Sequence, residues 1–351
     1  MTMDDMSWEP LCIAHERRRY QACIGTGGIG SGIFFALNGN HTLGREESRS
    51  GRFLERKDYC KLHIVAHYVQ TLLGDPFRTV PIGRVGDDEV GSRLLAEMSE
   101  AGLCLSHVAR GTGEQTLYSF CFLYPDGTGG NLTTDDSASA HLDRALIHGA
   151  EEEFAACRGA GIALAMPEVP LQARAALLDL GGKYDCFRAA SFTREELAEQ
   201  TARDLLQQVD LLAANLEEAA AGAGLSDHEA EDAEAVVSAL SRACPHMLIS
   251  VTAGRRGSWS WDGSSLSHCP SCRAEVRSTA GAGDAHLAGI LVGLAVGLPL
   301  PEAQQLGTLV AGLSVTSPHT IHKQIGRESL RAFAAHCGLS FSPAVLSLLE
   351  A

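Results

Sequence analysis

The run Ser278-Thr279-Ala280-Gly281-Ala282-Gly283-Asp284, with the apolar stretch that follows it to Leu300, limits this chain most. Leu287, Ile290, Leu291 and Leu294 fall on one face of a helix. Gly289, Gly293 and Gly297 form a second stripe four residues apart, which would let another backbone pack close. The segment reads as a tight turn opening a buried helix. Amides at Gly281, Ala282 and Gly283 would point out of the helix start, where the macrodipole places about half a positive charge. That is a site for anionic oxygen, most often phosphate. Asp284 in the same turn would repel a phosphate. It makes chemical sense as the group that takes a proton from a hydroxyl attacking that phosphate. The plainer alternative is a first-turn carboxylate paired with the helix dipole. Residues 285–300 are too few for a membrane span.

The chain has room for one large α/β domain or two smaller ones. Its 28 basic and 43 acidic side chains give a formal charge of −15, which argues against nucleic acid or an anionic membrane as partner. Eleven cysteines, an odd number, are scattered along the chain. Residues 1–20 carry acidic residues and Arg17-Arg18-Arg19 without an apolar core, so they read as a polar leader and not as a signal peptide. Reduced thiols and a cytoplasmic location are the expectation. Cys269-Pro-Ser-Cys272 is a lone pair without a second pair at zinc spacing.

A first strand is expected near residues 21–25. The glycine-rich run from Gly25 to Gly32, which includes Gly28, is superficially a dinucleotide fingerprint. No helix-forming segment follows it, which argues against a nicotinamide-dependent dehydrogenase. Residues 44–61 are dense in charge. A helix is expected over 64–73, a strand over 80–85, a helix over 92–101, and a strand over 116–124 running into a turn at Asp126-Gly127. Beyond that, short apolar strands near 162–166, 186–190, 209–213 and 248–251 alternate with helices near 168–180, 194–207 and 229–243. This is the pattern of a parallel sheet covered on both faces. Residues 257–261 and 265–269 read as a late hairpin, and helices are expected near 301–316 and 327–336; Ala213 to Ala223 reads as an alanine-rich helix.

Three short motifs follow expected strands: Asn215-Leu-Glu-Glu218, Thr252-Ala-Gly-Arg-Arg-Gly257 and Gly281-Ala-Gly-Asp284. In a parallel sheet, ligands lie at the carboxyl ends of strands. Asn215 and Glu218 can hold Mg²⁺ through waters. Thr252, Gly254 and Gly257 let a nucleotide approach the backbone closely. Gly83-Arg-Val-Gly-Asp-Asp-Glu-Val-Gly91 is a fourth glycine-marked stretch, in the first half.

Together these stretches resemble the PfkB family of carbohydrate kinases. Ser278 to Asp284 is similar to its D-T-x-G-A-G-D signature, Asn215 to Glu218 to its N-x-x-E, Thr252 to Gly257 to its T-x-G-x-x-G, and Gly83 to Gly91 to its G-x-V-G-x-D-x-x-G. Ala311 to Thr316 looks like its late nucleotide-side helix. The resemblance implies a ribokinase-like three-layer α/β/α fold with a mainly parallel central sheet and a small β lid. The expected organisation is a leader over 1–20, one kinase domain over 21–340 with lid candidates within 26–60 and 113–135, and a tail over 341–351. It implies ATP-dependent phosphorylation of a hydroxyl on a sugar or sugar-derived acceptor. Asp284 is then the base and the 281–283 amides the anion hole. Asn215, Glu218, Thr252, Gly254 and Gly257 hold Mg-ATP, with Glu218 toward the metal. Alternatives are a nucleoside kinase of the same fold and a non-catalytic nucleotide-binding regulator. Lid pairing into a homodimer is a further expectation from the family.

The acceptor side departs from the family. The first-strand Asp has no counterpart near Gly28, and the family's G-G-x-x-x-N is replaced by residues near 59–66. Ser278 stands where the family has Asp at a monovalent-cation loop. Arg45, Arg49, Arg52, Arg56, Lys57 and Lys61, with His63 and His67, concentrate positive charge in the expected acceptor segment. Lys61 and Gly28 are the acceptor-side candidates. An anionic acceptor held by Lys61 is one reading of this charge; the other is a solvated lid with interleaved Glu46, Glu47, Glu55 and Asp58.

Overall fold

The computed structural model describes residues 9–13, 18–126, 129–225 and 231–350. Thirteen strands are formed among them: β1 (Ala22–Thr26), β2 (Gly30–Leu37), β3 (Gly51–Tyr59), β4 (Arg78–Gly86), β5 (Val108–Gly111), β6 (Leu117–Leu123), β7 (Gly129–Thr133), β8 (Gly161–Ala165), β9 (Phe187–Ala190), β10 (Leu211–Asn215), β11 (Leu248–Thr252), β12 (Ser258–Trp261) and β13 (Leu266–Cys269). Nine of these make one sheet in the order β13-β12-β11-β10-β9-β8-β1-β4-β5. All neighbours in it run parallel except β11–β12 and β12–β13. The expected mainly parallel sheet is present, with the late hairpin as its antiparallel edge.

Alternate residues of the central strands feed two cores. Cys23, Ile162, Leu164, Leu211 and Ala213 face the helices Lys61–Leu73, Ala282–Ala295 and Leu300–Ser314. Ala22, Ile24, Ala163, Ala165, Leu212 and Ala214 face the helices Leu171–Lys183, Leu216–Gly222 and Ala233–Ala243. Strands apolar on both faces are what a sheet covered on both sides requires, and the result is three layers. Sheet register also aligns the strand ends: Asn215 pairs with Thr252 across β10 and β11, so two separate motifs meet at one edge.

The helix Ala282–Ala295 is buried from Ala285 onward. Each fully buried Ile or Leu along it contributes about 1.5–3 kcal/mol. The glycine stripe does what its spacing suggests at two of three positions. A Cβ on Gly289 would lie 2.6 Å from the Gly307 Cα, and one on Gly293 would lie 2.8 Å from the Ala303 Cα, so the 300–314 helix packs backbone to backbone there. Gly297 instead belongs to the turn after the helix, its amide donating to the Leu294 carbonyl.

The glycine-rich run after β1 leads straight into β2 with no helix following, as its sequence indicated, so it is no dinucleotide fold. Other expectations need correction. The charge-dense stretch contains a nine-residue strand, β3. It joins β2, β6 and β7 in a separate four-stranded sheet of order β3-β2-β6-β7. Gly127 of the expected turn lies outside the described residues, but β6 and β7 flank it as an antiparallel pair. Residues 213–215 end a strand, and only 216–222 are helical. The single helix expected over 194–207 is two, Arg194–Ala198 and Gln200–Leu205, because the Arg203 guanidinium donates to the Leu197 and Ala198 carbonyls at 3.0 and 2.9 Å and satisfies the first helix's end. Residues 1–8 and 14–17 of the leader lie outside the described residues. Leu11 is buried, its amide donating to Leu72 O, and Cys12 N donates to Leu348 O, so the segment 9–13 lies against the helix Pro343–Ser347 region. No described helix is long and apolar enough to cross a membrane.

Candidate active site

At the carboxyl edge of the central sheet lies a cavity of about 490 Å³. Of the candidates singled out in the sequence, Lys61, Asn215, Glu218, Thr252, Gly254, Gly257, Gly281, Ala282, Gly283 and Asp284 all line it. Gly28 does not. Its amide donates to Pro167 O, and a Cβ on it would lie 2.4 Å from a Glu168 carboxylate oxygen. Gly28 is therefore the space into which Glu168 fits.

The opening of the 282–295 helix is built by Gly281, its N-cap, at φ 78°. That left-handed conformation costs a residue with a Cβ about 1–2 kcal/mol. A Cβ there would also stand 2.9 Å from the Thr320 carbonyl oxygen. The Ala282 amide turns back to Thr279 O at 3.2 Å, so it is not free as the sequence suggested. A Cβ on Gly283 would meet nothing within 4 Å, so that position faces open cavity. Gly257, at φ 91°, is pressed against the Cys269 carbonyl, and Gly254 turns the chain at φ 54°.

Asn215 and Glu218 form a capping box: the Asn215 side chain accepts from Glu218 N at 2.9 Å, and Glu218 accepts from Asn215 N at 2.8 Å. The single Asn215 side-chain oxygen and one of the two Glu218 oxygens are thereby used in starting the 216–222 helix, which leaves a second lone pair on the former and a second oxygen on the latter. Burial holds the Glu218 carboxyl above its ordinary value.

Lys61 opens the helix Lys61–Leu73, where the helix dipole opposes a cation. The carboxylates around it offset this. Asp284 first, then Glu168 and Glu218, hold the ammonium charged against its burial and raise its pKa. Asp284 in turn is raised above the ordinary Asp range by burial, with Lys61 pulling the other way.

Two carboxylates beside the cavity, neither of them among its lining residues, escaped the sequence reading. Glu168 follows β8, sits at φ 75°, and accepts from the Lys61 amide at 3.2 Å. Burial pushes it up to about 7, with Lys61 opposing. Asp58 ends β3, is buried, and accepts from Ser119 Oγ at 2.8 Å and from the Cys121 thiol at 3.5 Å. Burial raises it too. A signal for Glu168 existed: a lone carboxylate between Pro167 and Pro170, just past a buried strand. His286 was also missed. It lines the cavity two residues after Asp284, its Nε2 has no partner among the described residues, and burial pushes it down to about 4.

The other basic residues of the 44–67 stretch do not line the cavity. Arg49 binds Glu47 at 2.6 Å and stacks over Tyr124, Arg56 lies over Phe34, and Lys57 binds Glu97 at 3.3 Å. His63 and His67 are buried in the 61–73 helix and pushed down to about 3 and about 4. The positive charge expected over the acceptor region reduces, at the cavity, to Lys61, with Arg255 lining it near Gly254 and Gly257.

Glu168 yields a stability test. Between its ordinary value of 4.5 and about 7, the folded chain holds a proton the unfolded chain has released, so stability falls as pH rises through that window. Glu168→Gln, which keeps an acceptor for the Lys61 amide, is expected to be more stable than wild type above pH 7 and to lose that advantage below pH 4.5 in denaturant titrations. A constant difference across the range would mean Glu168 is not held protonated by burial.

The family model described as pfkB family carbohydrate kinase matches residues 65–325. An uncharacterised sugar kinase, YegV, of Escherichia coli strain K12 is 42% identical over 57 residues, which is 16% of this chain and only 18% of that protein. Among solved structures, ribokinase from Cryptococcus neoformans var. grubii serotype A in complex with ADP superposes with a TM-score of 0.72 at 19% identity, covering 89% of this chain and 98% of that one. Adenosine kinase from Sinorhizobium meliloti gives 0.68 at 19% identity over 86% and 96%. A carbohydrate kinase from Agrobacterium tumefaciens gives 0.67 at 19% identity over 90% and 98%. At these identities the likeness shows the fold: the ribokinase-like three-layer architecture.

Proposed function

The chain belongs to the pfkB family of carbohydrate kinases, and from that premise we propose that it transfers the γ-phosphoryl group of ATP to a hydroxyl of an uncharged, polyhydroxylated small molecule. The observation that carries this is the position of Asp284. It stands in the first turn of a buried helix, at a cavity that also holds Lys61, Asn215, Glu218 and Thr252. The two ends of the cavity differ in character. Ala274, Val276, Ala311, Gly312 and Val315 make an apolar slot suited to a nucleobase. The first-turn amides near Gly281 and Gly283 and the helix dipole suit its phosphates.

Asp284 takes the proton of the acceptor hydroxyl as that oxygen attacks the terminal phosphorus. Lys61 opposes the rise that burial imposes on Asp284 and so favours its ionised form. Glu168, still partly protonated near neutrality, can donate a hydrogen bond to a second hydroxyl. Asp58 faces the same region from the end of β3, and the four-stranded sheet is read as the lid over the acceptor. Glu218, with its second oxygen, and Asn215 are hard oxygen donors of the kind Mg²⁺ takes through waters. Mg²⁺ there would neutralise phosphate charge. A single carboxylate is enough for such a site, because Mg²⁺ in kinases is held largely by the phosphates.

The anionic acceptor is not retained. Asp284, Glu168 and Glu218 all stabilise the Lys61 ammonium, so an anionic acceptor would compete with three carboxyl groups for its charge. Lys61→Met is therefore expected to lower turnover and to move the acid limb of the rate profile upward, since Asp284 loses its compensating cation. The acceptor's KM should respond little to salt between about 0.05 and 0.5 M, where screening changes most for exposed charge. A large salt-dependent rise in acceptor KM, with turnover intact in Lys61→Met, would restore an anionic acceptor.

A further inference from the structure

At the amino edge of the central sheet, remote from the cavity just described, two thiols meet. Cys157 ends the helix Glu151–Cys157, and Cys186 precedes β9. A Cβ built on Gly161 would lie 2.9 Å from the Cys186 sulfur and 3.0 Å from the Cys157 sulfur, so both sulfurs crowd one point that only glycine leaves open. Each cysteine is flanked by a left-handed non-glycine residue, Arg158 at φ 49° and Asp185 at φ 53°. Such turns cost energy and persist only where packing holds them. Here they turn the chain at the two thiols.

Cys157 also lines a cavity of about 340 Å³ together with Arg18, Arg19, Arg78 and Glu153. Arg78 is held by Glu153 at 2.9 and 3.1 Å. Arg18 donates to the Leu73 carbonyl at 3.1 Å, and its Nε and other terminal nitrogen have no partner among the described residues. Three guanidiniums against one carboxylate make this opening anion-attracting in a chain of net charge −15. Cys186 borders a second opening with Arg19 and Arg158.

We propose that Cys157 and Cys186 form a thiol–disulfide exchange site that reacts with small anionic disulfides, Cys157 as the attacking and Cys186 as the resolving thiol. The Cys157 thiol donates to the Glu153 carbonyl at 3.2 Å and the Cys186 thiol to the Tyr184 carbonyl at 3.7 Å. The neighbouring Cys186 first, and Arg78 with it, lower the Cys157 thiol against burial and the Glu153 carboxylate, while Cys157 and burial raise Cys186. The Cys157 thiolate attacks one sulfur of the co-reactant, whose S–S bond breaks and releases one thiolate. The Cys186 thiol then loses its proton and attacks the Cys157 sulfur of the mixed disulfide, releasing the second thiol. The pair loses two electrons and the co-reactant gains two.

The test uses the full chain, fully reduced, exposed to oxidised glutathione or, separately, to the uncharged 2-hydroxyethyl disulfide, followed by peptide mapping. The expected result is a peptide pair joined through Cys157 and Cys186 that has lost two hydrogens, formed before any other cysteine is linked and faster with oxidised glutathione. In Cys186→Ser the linked pair is lost and a mixed disulfide accumulates at Cys157. The proposal is overturned if wild type forms no 157–186 link while exposed Cys12 is modified, or if Cys186→Ser leaves Cys157 unmodified. Equal rates with the two disulfides would overturn the role given to the arginines.

Discussion

Asp284→Asn is expected to keep ATP binding and to lower turnover by about 10²–10⁴-fold, the size of a general-base contribution. The substitution removes the proton acceptor and leaves the volume and the helix start in place. The wild-type rate should itself fall with acid, because the base must be ionised and burial has raised Asp284 above the ordinary Asp value of 3.8. The acid limb of kcat/KM should therefore lie above that value, and it should vanish in the variant. Near wild-type turnover would mean that Asp284 is only a partner of the helix dipole.

Gly281→Ala is expected to lower turnover by about 10²–10³-fold, the usual loss when an oxyanion donor is displaced. The new Cβ would be forced into a left-handed residue and against the Thr320 carbonyl, so the first turn must shift. Some stability, about 1–3 kcal/mol, should go with it. Gly283→Ala is the internal control for the fold, since nothing lies within 4 Å of its Cβ position. Its thermal midpoint should match wild type. Any kinetic effect there reports on what enters the cavity. A Gly281→Ala enzyme with unchanged kinetics and stability would remove the anion hole from the account.

The parts of the molecule that were legible are those whose chemistry is local. The 282–295 helix announces itself through a glycine-marked turn and an apolar run, and the parallel strands through short runs apolar on both faces. β3 was not legible. It lies in a sheet with much of its surface in solvent, so Arg52 to Asp58 show charge where a core strand would show alternation. Asp58 was hidden in that same charge, and Glu168 is a single carboxylate whose partners, Gly28 and Lys61, are more than a hundred positions away. The N-x-x-E motif was legible as a motif, but the bonds it makes are those of an ordinary capping box, and sequence alone does not separate the two uses. Lys61 was found for its charge. What the sequence did not hold was the ring of carboxylates that absorbs that charge.

The most direct measurement is the pairing of ADP release with a phosphomonoester on the acceptor. The chain and Mg-ATP would be offered a panel of neutral polyols, sugars and nucleosides, with sugar phosphates alongside. The account predicts acceptor-dependent ADP formation, equimolar with a new phosphomonoester on a neutral polyhydroxylated acceptor, requiring Mg²⁺ and lost in Asp284→Asn. ATP binding without transfer to any member of the panel, or transfer undiminished in Asp284→Asn, would contradict it.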